Sequence, residues 1–193
     1  MAENLARVLT LIDDINRQDP NSEIVEGKAT PKELIYGQRM SECLATYWPH
    51  ASELLQIAVR AQHVKRWHIA RNEYPMGKAG YYAWRKALGA FHAETAMTLM
   101  VENGYSQEQA DQTGIMLRKE QLRTNTETQT LEDVACLVFL MYYFEPFAAK
   151  HDDAKVISIV QKTWKKMSQQ AKDIALSLTL PAHLGKLVAQ ALA

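Results

Sequence analysis

The chain has 193 residues, and its 22 Lys or Arg residues balance its 22 Asp or Glu residues. The length suits one globular domain with a substantial core, so we expect residues 1–193 to form a single domain. Zero net charge gives no support for nonspecific binding to DNA or to a membrane surface. No apolar run is long enough to cross a bilayer, and Cys43 and Cys136 lack a metal or redox spacing. We therefore expect a cytoplasmic protein with free thiols and no signal peptide.

Apolar residues recur at helical spacing along almost the whole chain, and Pro, Gly and Asn interrupt them. No alternation typical of β-strands is present, so the pattern predicts an all-α fold of seven or eight helices. The predicted helices are, in chain order, one that ends before Asp19, one from Pro31 to about Tyr47, one that opens at Pro49 and runs to about Trp67, one over 81–102, one from Gln107 to about Glu120, one over about 130–149, one over 152–177 and a short one after Pro181.

Two of these helices begin at a capping pattern. Thr30-Pro-Lys-Glu33 combines a capping box with Pro at the first helical position, which predicts the start of the second helix. Ser106-Gln-Glu-Gln109 predicts the start of the fifth. An irregular loop is expected from about 68 to 79, where Pro and Gly break regular structure.

Basic and aromatic residues are concentrated between Arg60 and Lys86. Seven basic residues lie there with a single acidic one, Glu73, and His, Trp and Tyr are interleaved among them. This composition suits a small anionic ligand such as a phosphate ester or nucleotide, and it does not suit duplex DNA. Solvated surface charge is the alternative interpretation. The residues that we expect to bind the anion are Arg60, Arg66, Arg71, Tyr74, Arg85 and Lys119.

Three ionisable residues interrupt the apolar faces of three different helices, namely His63, His92 and Asp133. Burying such groups unpaired is unfavourable, so they are expected to meet partners. Together, with Glu132 beside Asp133, they suit a divalent metal site or an acid–base catalytic pair. Simpler explanations remain open: His63 near a helix C-terminus, His92 bonded to a backbone carbonyl in the core, and Asp133 in a first helical turn.

Five segments, spread over nearly the whole chain, resemble the family called domain of unknown function 4202. They are Tyr36-Gly-Gln-Arg-Met40, Ala61-Gln-His-Val-Lys-Arg-Trp67, Tyr74-Pro-Met-Gly-Lys-Ala-Gly-Tyr-Tyr-Ala-Trp-Arg85, Leu131-Glu-Asp-Val-Ala-Cys-Leu-Val-Phe139 and Lys162-Thr-Trp-Lys-Lys-Met-Ser168. This resemblance supplies no established activity.

A more distant resemblance is to the HD superfamily of metal-dependent phosphohydrolases. Ala58-Val-Arg-Ala-Gln-His-Val-Lys65 is similar to the end of that superfamily's His-Asp helix, His92-Ala-Glu-Thr-Ala96 to its next His-bearing helix, and Leu131-Glu-Asp133 to the helix with its final aspartate. The resemblance implies an HD-like helical fold in which His92 and Asp133 are ligand positions, and with His63 they would ligate Mn, Fe, Zn or Mg.

The chain also departs from the HD pattern. Gln62-His63 stands where that superfamily has His-Asp, and the second helix has Arg39 and Glu42 but no histidine. Lys119 falls roughly where some members have a further histidine. These changes remove negative charge and add cations, and both weaken a metal site.

Two functions from different classes follow. The first is an HD-like hydrolase that acts on a phosphate ester or nucleotide, with His63, His92, Asp133 and Glu132 as catalytic residues. The alternative is a non-catalytic binding module for a nucleotide or phosphorylated metabolite. A structural or RNA-binding role ranks third, and the sequence leaves formation of a homo-oligomer open.

Overall fold

A computed structural model describes residues 2–192 of the chain. The all-α expectation is confirmed in outline, because that part is mostly helical, although it has ten α-helices and also a two-stranded sheet. The elements are α1 (Ala2–Asn16), β1 (Ser22–Val25), β2 (Lys28–Pro31), α2 (Lys32–Tyr47), α3 (Glu53–Ala61), α4 (Lys78–Glu102), α5 (Gln107–Leu117), α6 (Thr126–Val138), α7 (Phe144–Ala148), α8 (Asp153–Lys166), α9 (Gln169–Ser177) and α10 (Ala182–Leu192). No helix within residues 2–192 is long and apolar enough to cross a membrane.

The β-hairpin corrects the expectation that the chain has no strands. Strands β1 and β2 are antiparallel, and Val25 pairs with Lys28 across a two-residue turn. Glu26 and Gly27 in that turn have φ angles of 49° and 79°. Positive φ at both positions is the geometry of the tight hairpin turn that matches the twist of the strands, and Gly27 adopts it without strain. β1 alternates between exposed and half-buried residues, but its sequence, Ser22-Glu-Ile-Val25, has two polar residues followed by two apolar ones and so does not show this alternation.

The start of α2 differs from the predicted capping box. Pro31 precedes the first helical residue, and no side chain at that position caps the helix. The Thr30 hydroxyl donates to the Lys28 carbonyl oxygen, 3.4 Å away, within the hairpin. The carboxylate of Asp19 accepts instead from the Glu33 backbone N–H at 2.9 Å, and so supplies the cap from a distant part of the chain. This arrangement leaves the Glu33 side chain free to turn away from the helix end.

Within residues 2–128, α4 packs against α5 and α3, and α3 also packs against α1, α2 and α5. α4 begins at Lys78 rather than Tyr81, because Gly80 lets the helix approach Pro75. A Cβ at Gly80 would lie 1.9 Å from the Pro75 carbonyl oxygen. Fully buried side chains of this core include Val8, Ile12, Met40, Ile57, Val59, Val64, Met100 and Met116.

α5 has the predicted Ser106–Gln109 capping box, and both of its hydrogen bonds are present. The helix ends at Leu117 and not near Glu120. Lys119 and Gln121 beyond it both have a φ of 56°, in the left-handed region, which turns the chain sharply after the helix.

The chain divides into two compact units, the first ending at Thr128 and the second beginning at Gln129. The boundary falls inside α6, and the expectation of a single domain stays a prediction. α6 begins before the expected residue 130, and a π-helical segment, Phe139–Tyr143, separates it from α7. The helix predicted over 152–177 is in fact two, α8 and α9, because Ser168 caps the second and breaks the first. In this unit α8 packs against α10 and α7.

Candidate anion-binding site

A cavity of about 420 Å³ lies in the first unit, between the chain after α3, the middle of α4 and the chain after α5. Three groups of residues line it, and each comes from one of these segments. They are Gln62, His63 and Arg66; Arg85, Lys86, Leu88, Gly89, Ala90 and His92; and Leu117, Arg118, Lys119 and Glu120. We refer to it below as the basic cavity.

The lining of the basic cavity is strongly cationic. Five of its residues are Arg or Lys, and the one carboxylate among them, Glu120, is bound to Arg118 through contacts of 3.0 and 3.2 Å. The half-buried guanidinium of Arg85 has no hydrogen-bond or ion-pair partner within residues 2–192. Lys119 also contributes a positive charge to the field at His63. The Arg85 guanidinium is therefore a positive charge in the cavity that no residue within 2–192 neutralises.

The His63 imidazole lies between the Glu33 carboxylate and the Arg66 guanidinium. Its Nδ1 lies 3.0 Å from the Glu33 carboxylate, and its Nε2 lies 2.7 Å from Nη1 of Arg66. An arginine N–H only donates, so Nε2 must accept and the ring proton must sit on Nδ1, where it is donated to Glu33. The Tyr36 ring stacks on the imidazole with centroids 3.9 Å apart. These contacts hold His63 as a neutral imidazole in one orientation.

Burial and the surrounding cations set the charge states of Glu33, His63 and Arg66. Desolvation lowers the pKa of His63 well below its usual value, and Arg66, Arg85 and Lys119 lower it further. Burial raises the pKa of Glu33, and the nearby Arg66 opposes that shift. Burial also lowers the pKa of Arg66, while Glu33 favours its charged form. The Arg66 guanidinium additionally lies over the Trp84 ring, 5.0 Å from the ring centroid.

His92 is buried, with only 4% of its surface exposed, and its ring centroid is 6.2 Å from that of His63. Its Nδ1 lies 2.8 Å from the Val64 carbonyl oxygen, to which it must donate. Its Nε2 is buried and has no hydrogen-bond partner in the described part of the chain. Burial lowers the pKa of His92 to about 3, and the neighbouring His63 contributes to that shift. His92 is thus neutral near pH 7, and it presents an acceptor that nothing satisfies.

The backbone between α3 and α4 places these side chains. Lys65 has a φ of 51°, so the chain turns abruptly between His63 and Arg66. The Asn16 side chain stabilises this turn, because its Oδ1 accepts from the Lys65 N–H at 2.9 Å while its Nδ2 donates to the Glu33 carbonyl oxygen. The end of α1 therefore connects the start of α2 to the end of α3.

The structure brings together five of the residues singled out in the sequence. His63, His92, Arg66, Arg85 and Lys119 all line the basic cavity. The expectation that His92 bonds to a backbone carbonyl is also met at Nδ1, so the core role and the cavity position coexist in one ring. Catalytic and ligand-binding roles for these five residues stay predictions.

Asp133 and Glu132 belong to the second unit, where both are buried. The Asp133 carboxylate accepts from the backbone N–H and hydroxyl of Ser168 and from the Gln129 side chain. Glu132 lies 3.4 Å from the Lys166 ammonium group. Asp133 thus supports the capping residue of α9, 35 residues away, rather than the first turn of its own helix.

Three residues expected to bind the anion do not line the basic cavity. Arg60 makes two contacts with the Asp13 carboxylate, of 2.7 and 2.8 Å, so its guanidinium joins α3 to α1. Arg71 donates to the carbonyl oxygens of Tyr74 and Pro75 and thereby closes the loop before α4. Arg71 and Tyr74 therefore have structural partners of their own.

The donor set does not fit the divalent metal implied by the HD resemblance. A metal needs ligand atoms with available lone pairs, but His63 Nε2 faces the Arg66 guanidinium and the Asp133 oxygens accept three hydrogen bonds. Within residues 2–192, no group of three or more His, Cys, Asp or Glu side chains is suited to a metal ion. Metal ligation stays a prediction from the sequence.

Glu33 and Tyr36 are the residues of this site that the sequence did not reveal. Glu33 was interpreted as part of a capping box, and its contact with His63 spans 30 positions. The spacing of the two residues on α2 does place them close to one face, but no pattern in the sequence connects that face to α3.

The comparisons with known proteins identify the family and nothing finer. The chain has no significant match among curated proteins or among solved structures. The family described as Domain of unknown function (DUF4202) matches residues 6–188, which include every residue of the basic cavity. The chain therefore belongs to this family, as the five segments of the sequence indicated.

Proposed function

We propose that the protein binds a small phosphate ester, such as a nucleotide or phosphorylated metabolite, in the basic cavity. The observation that carries this proposal is the guanidinium of Arg85, which lines the cavity without a partner among the described residues. A cation in that position is stabilised by an anion that enters, and Arg matches a phosphoryl group with paired N–H donors.

The size and surroundings of the cavity support the same ligand class. Its volume of about 420 Å³ lies within the range of small-molecule sites and is larger than a phosphoryl group alone needs. Leu88, Leu117 and Ala90 supply an apolar part of the wall. An organic group attached to the phosphate has room there. The HD-like arrangement suggested by the sequence is consistent with a phosphorylated ligand and is retained as part of the proposal.

Binding without turnover is the leading form of the proposal, because the cavity is rich in donors and cations and offers no carboxylate cluster for a metal. Hydrolysis of the phosphate ester is the second candidate, and the Glu33–His63 contact favours it. A carboxylate that orients a neutral imidazole is the arrangement found in general-base pairs. In this version Arg66 turns from His63 toward the ligand, and His63 Nε2 takes a proton from water as the water oxygen bonds to phosphorus. The ester P–O bond breaks, and the leaving oxygen takes up that proton.

Arg85→Ala tests the proposal directly. Millimolar inorganic phosphate, and AMP as a representative ester, should raise the midpoint of thermal unfolding of the unaltered protein. The substitution removes a charged donor, so we expect affinity to fall by about tenfold to a hundredfold. Isothermal titration calorimetry and thermal unfolding provide the measurements.

Arg7→Ala is the matched control, because Arg7 is exposed on α1 and its loss changes the net charge equally. It should leave the affinity for phosphate unchanged. If neither phosphate nor AMP binds, or if both substitutions weaken binding equally, the basic cavity is not the anion site.

Hydrolysis is distinguished from binding by measuring phosphate release from a panel of phosphate esters, with and without Mn, Fe, Zn or Mg. If the second candidate holds, Glu33→Gln should lower the rate by about a hundredfold, because the neutral amide no longer stabilises the imidazolium that forms on His63, while ligand affinity changes little. The absence of release from esters that do bind would eliminate hydrolysis and leave the binding function intact.

A further inference from the structure

His92 combines a fixed ring with an unsatisfied acceptor. Its Nδ1–H is occupied by the Val64 carbonyl oxygen at 2.8 Å, and its Nε2 is buried without a partner in a residue that lines the basic cavity. A buried polar atom without a hydrogen bond is unfavourable and uncommon in native proteins, so its retention needs an explanation.

The ring cannot satisfy Nε2 by exchanging tautomers. Moving the proton to Nε2 would place the Nδ1 lone pair against the Val64 carbonyl oxygen, an acceptor facing an acceptor. His92 also lines the basic cavity, so Nε2 is the ring nitrogen that remains for a ligand to contact. An atom that enters the cavity at this point must therefore bring its own hydrogen.

We propose that His92 makes the basic cavity selective for a phosphoryl group that carries a proton. In this arrangement Nε2 accepts the hydrogen bond of a P–OH group, while Arg66 and Arg85 donate to the unprotonated oxygens. The inference rests on the proposed binding of phosphate and adds the protonation state of the ligand and the residue that recognises it.

This arrangement separates oxyanions of nearly equal size and shape. Inorganic phosphate has at least one P–OH group at neutral pH, whereas sulfate has none. A sulfate oxygen placed at Nε2 would set an acceptor lone pair against another in a buried site, which is unfavourable. A monoester whose second pKa is about 6 still supplies a fraction with the required proton, and a diester supplies none.

The test compares inorganic phosphate with sulfate by isothermal titration calorimetry at pH 7 and equal ionic strength. We expect phosphate to bind at least tenfold more tightly than sulfate. Phosphate forms a hydrogen bond with Nε2, whereas sulfate places an oxygen lone pair against the lone pair of Nε2. His92→Asn should abolish this preference, because the Asn amide can still donate to the Val64 carbonyl oxygen but does not reach the position of Nε2. Its affinity for phosphate should fall toward that of sulfate, and its affinity for sulfate should not decrease.

Arg85→Ala is the companion variant, because it should weaken both anions together and leave their ratio unchanged. Far-ultraviolet circular dichroism at the titration temperature shows whether His92→Asn remains folded. If that variant unfolds, the phosphate-to-sulfate ratio of the unaltered protein decides alone.

The outcomes separate the two proposals. Equal binding of phosphate and sulfate, or an unchanged preference in His92→Asn, overturns the role of His92 while anion binding stands. If neither phosphate nor sulfate binds, both proposals are overturned. Methyl phosphate and dimethyl phosphate extend the test to esters. If methyl phosphate displaces bound phosphate and dimethyl phosphate does not, the inference is supported. If the two esters displace phosphate equally, the inference is contradicted.

Discussion

Two histidines, one in the turn after α3 and one on α4, are kept neutral by different means. His63 is surrounded by cations and donates to Glu33, whereas His92 is buried and donates to a backbone oxygen. In both rings Nε2 is the acceptor, but Arg66 donates to Nε2 of His63, whereas no residue that the structure describes donates to Nε2 of His92. Nε2 of His63 is therefore already bonded within the protein, whereas Nε2 of His92 can still accept a hydrogen bond.

Acidification should destabilise the protein through His92. Its pKa is about 3 in the folded state against 6.5 when unperturbed, so between these values the unfolded chain binds more protons. The free energy of unfolding should thus fall as the pH falls below about 6.5, by up to about 1.4 kcal/mol per pH unit. Urea unfolding between pH 7 and pH 4 measures the slope.

His92→Asn isolates this contribution. Glu33 acts in the opposite direction, because its raised pKa stabilises the fold at low pH and this stabilisation is lost as the pH rises past that value. His63 adds to the effect of His92, since its pKa is also lowered. The difference in slope between the unaltered protein and His92→Asn cancels both neighbours to a first approximation. Identical slopes would show that His92 is not a neutral buried base.

At the scale of residues, the sequence predicted which ionisable residues interrupt the apolar face of a helix. It did not predict the contacts that these residues make with other elements. His63 and His92 were recognised because each interrupts an apolar face at helical spacing. Glu33 was missed, because its contact with His63 depends on the packing of α2 against α3. Asp133 was correctly expected to be buried, yet its acceptor role depends on Ser168, which no local pattern connects to it.

At the scale of elements, α9 depends on a single serine. The Ser168 hydroxyl accepts from the Ala171 N–H at the start of the helix and donates to the Asp133 carboxylate. Ser168→Ala removes the cap and also one donor from a buried charge. We expect a loss of about 2–3 kcal/mol in the free energy of unfolding, measured by urea titration with circular dichroism.

Ser106→Ala provides the comparison for that loss. Ser106 caps α5 in the same way, but it is exposed and touches no buried carboxylate. Its removal should cost about 1 kcal/mol, the ordinary value of a cap. If the two substitutions destabilise equally, the Asp133 contact adds nothing to α9.

The sequence correctly predicted a helix start whose capping residues are neighbours in the chain. It did not predict a helix start whose cap comes from a distant residue. Ser106–Gln109 is a reciprocal motif within four residues, and the structure has both of its bonds. The start of α2 looked equally clear, but the cap comes from Asp19, on the far side of the hairpin. The hairpin itself depends on Glu26-Gly27, a weaker turn signal than Asn-Gly or Asp-Gly.

At the scale of the whole molecule, every residue of the basic cavity lies in the first unit, before Thr128. The family match nevertheless continues through the second unit to residue 188. The second unit has its own buried polar contacts, among them those of Asp133 and Glu132. The ionisable residues that the sequence suggested as one site are thus divided between the units: His63 and His92 line the basic cavity in the first, and Asp133 bonds the capping residue of α9 in the second.

Arg66 and Arg85 differ in when they lose their freedom of rotation. Arg66 is already fixed in the unliganded protein by His63 and Trp84, so its rotamer entropy is lost during folding. Arg85 has no hydrogen-bond or ion-pair partner among residues 2–192, so in the proposed complex it is immobilised only on binding. In the binding-only form of the proposal Arg66 is thus an ordered donor before the anion arrives and Arg85 is ordered afterwards, so residence time should depend more on Arg85 than on Arg66.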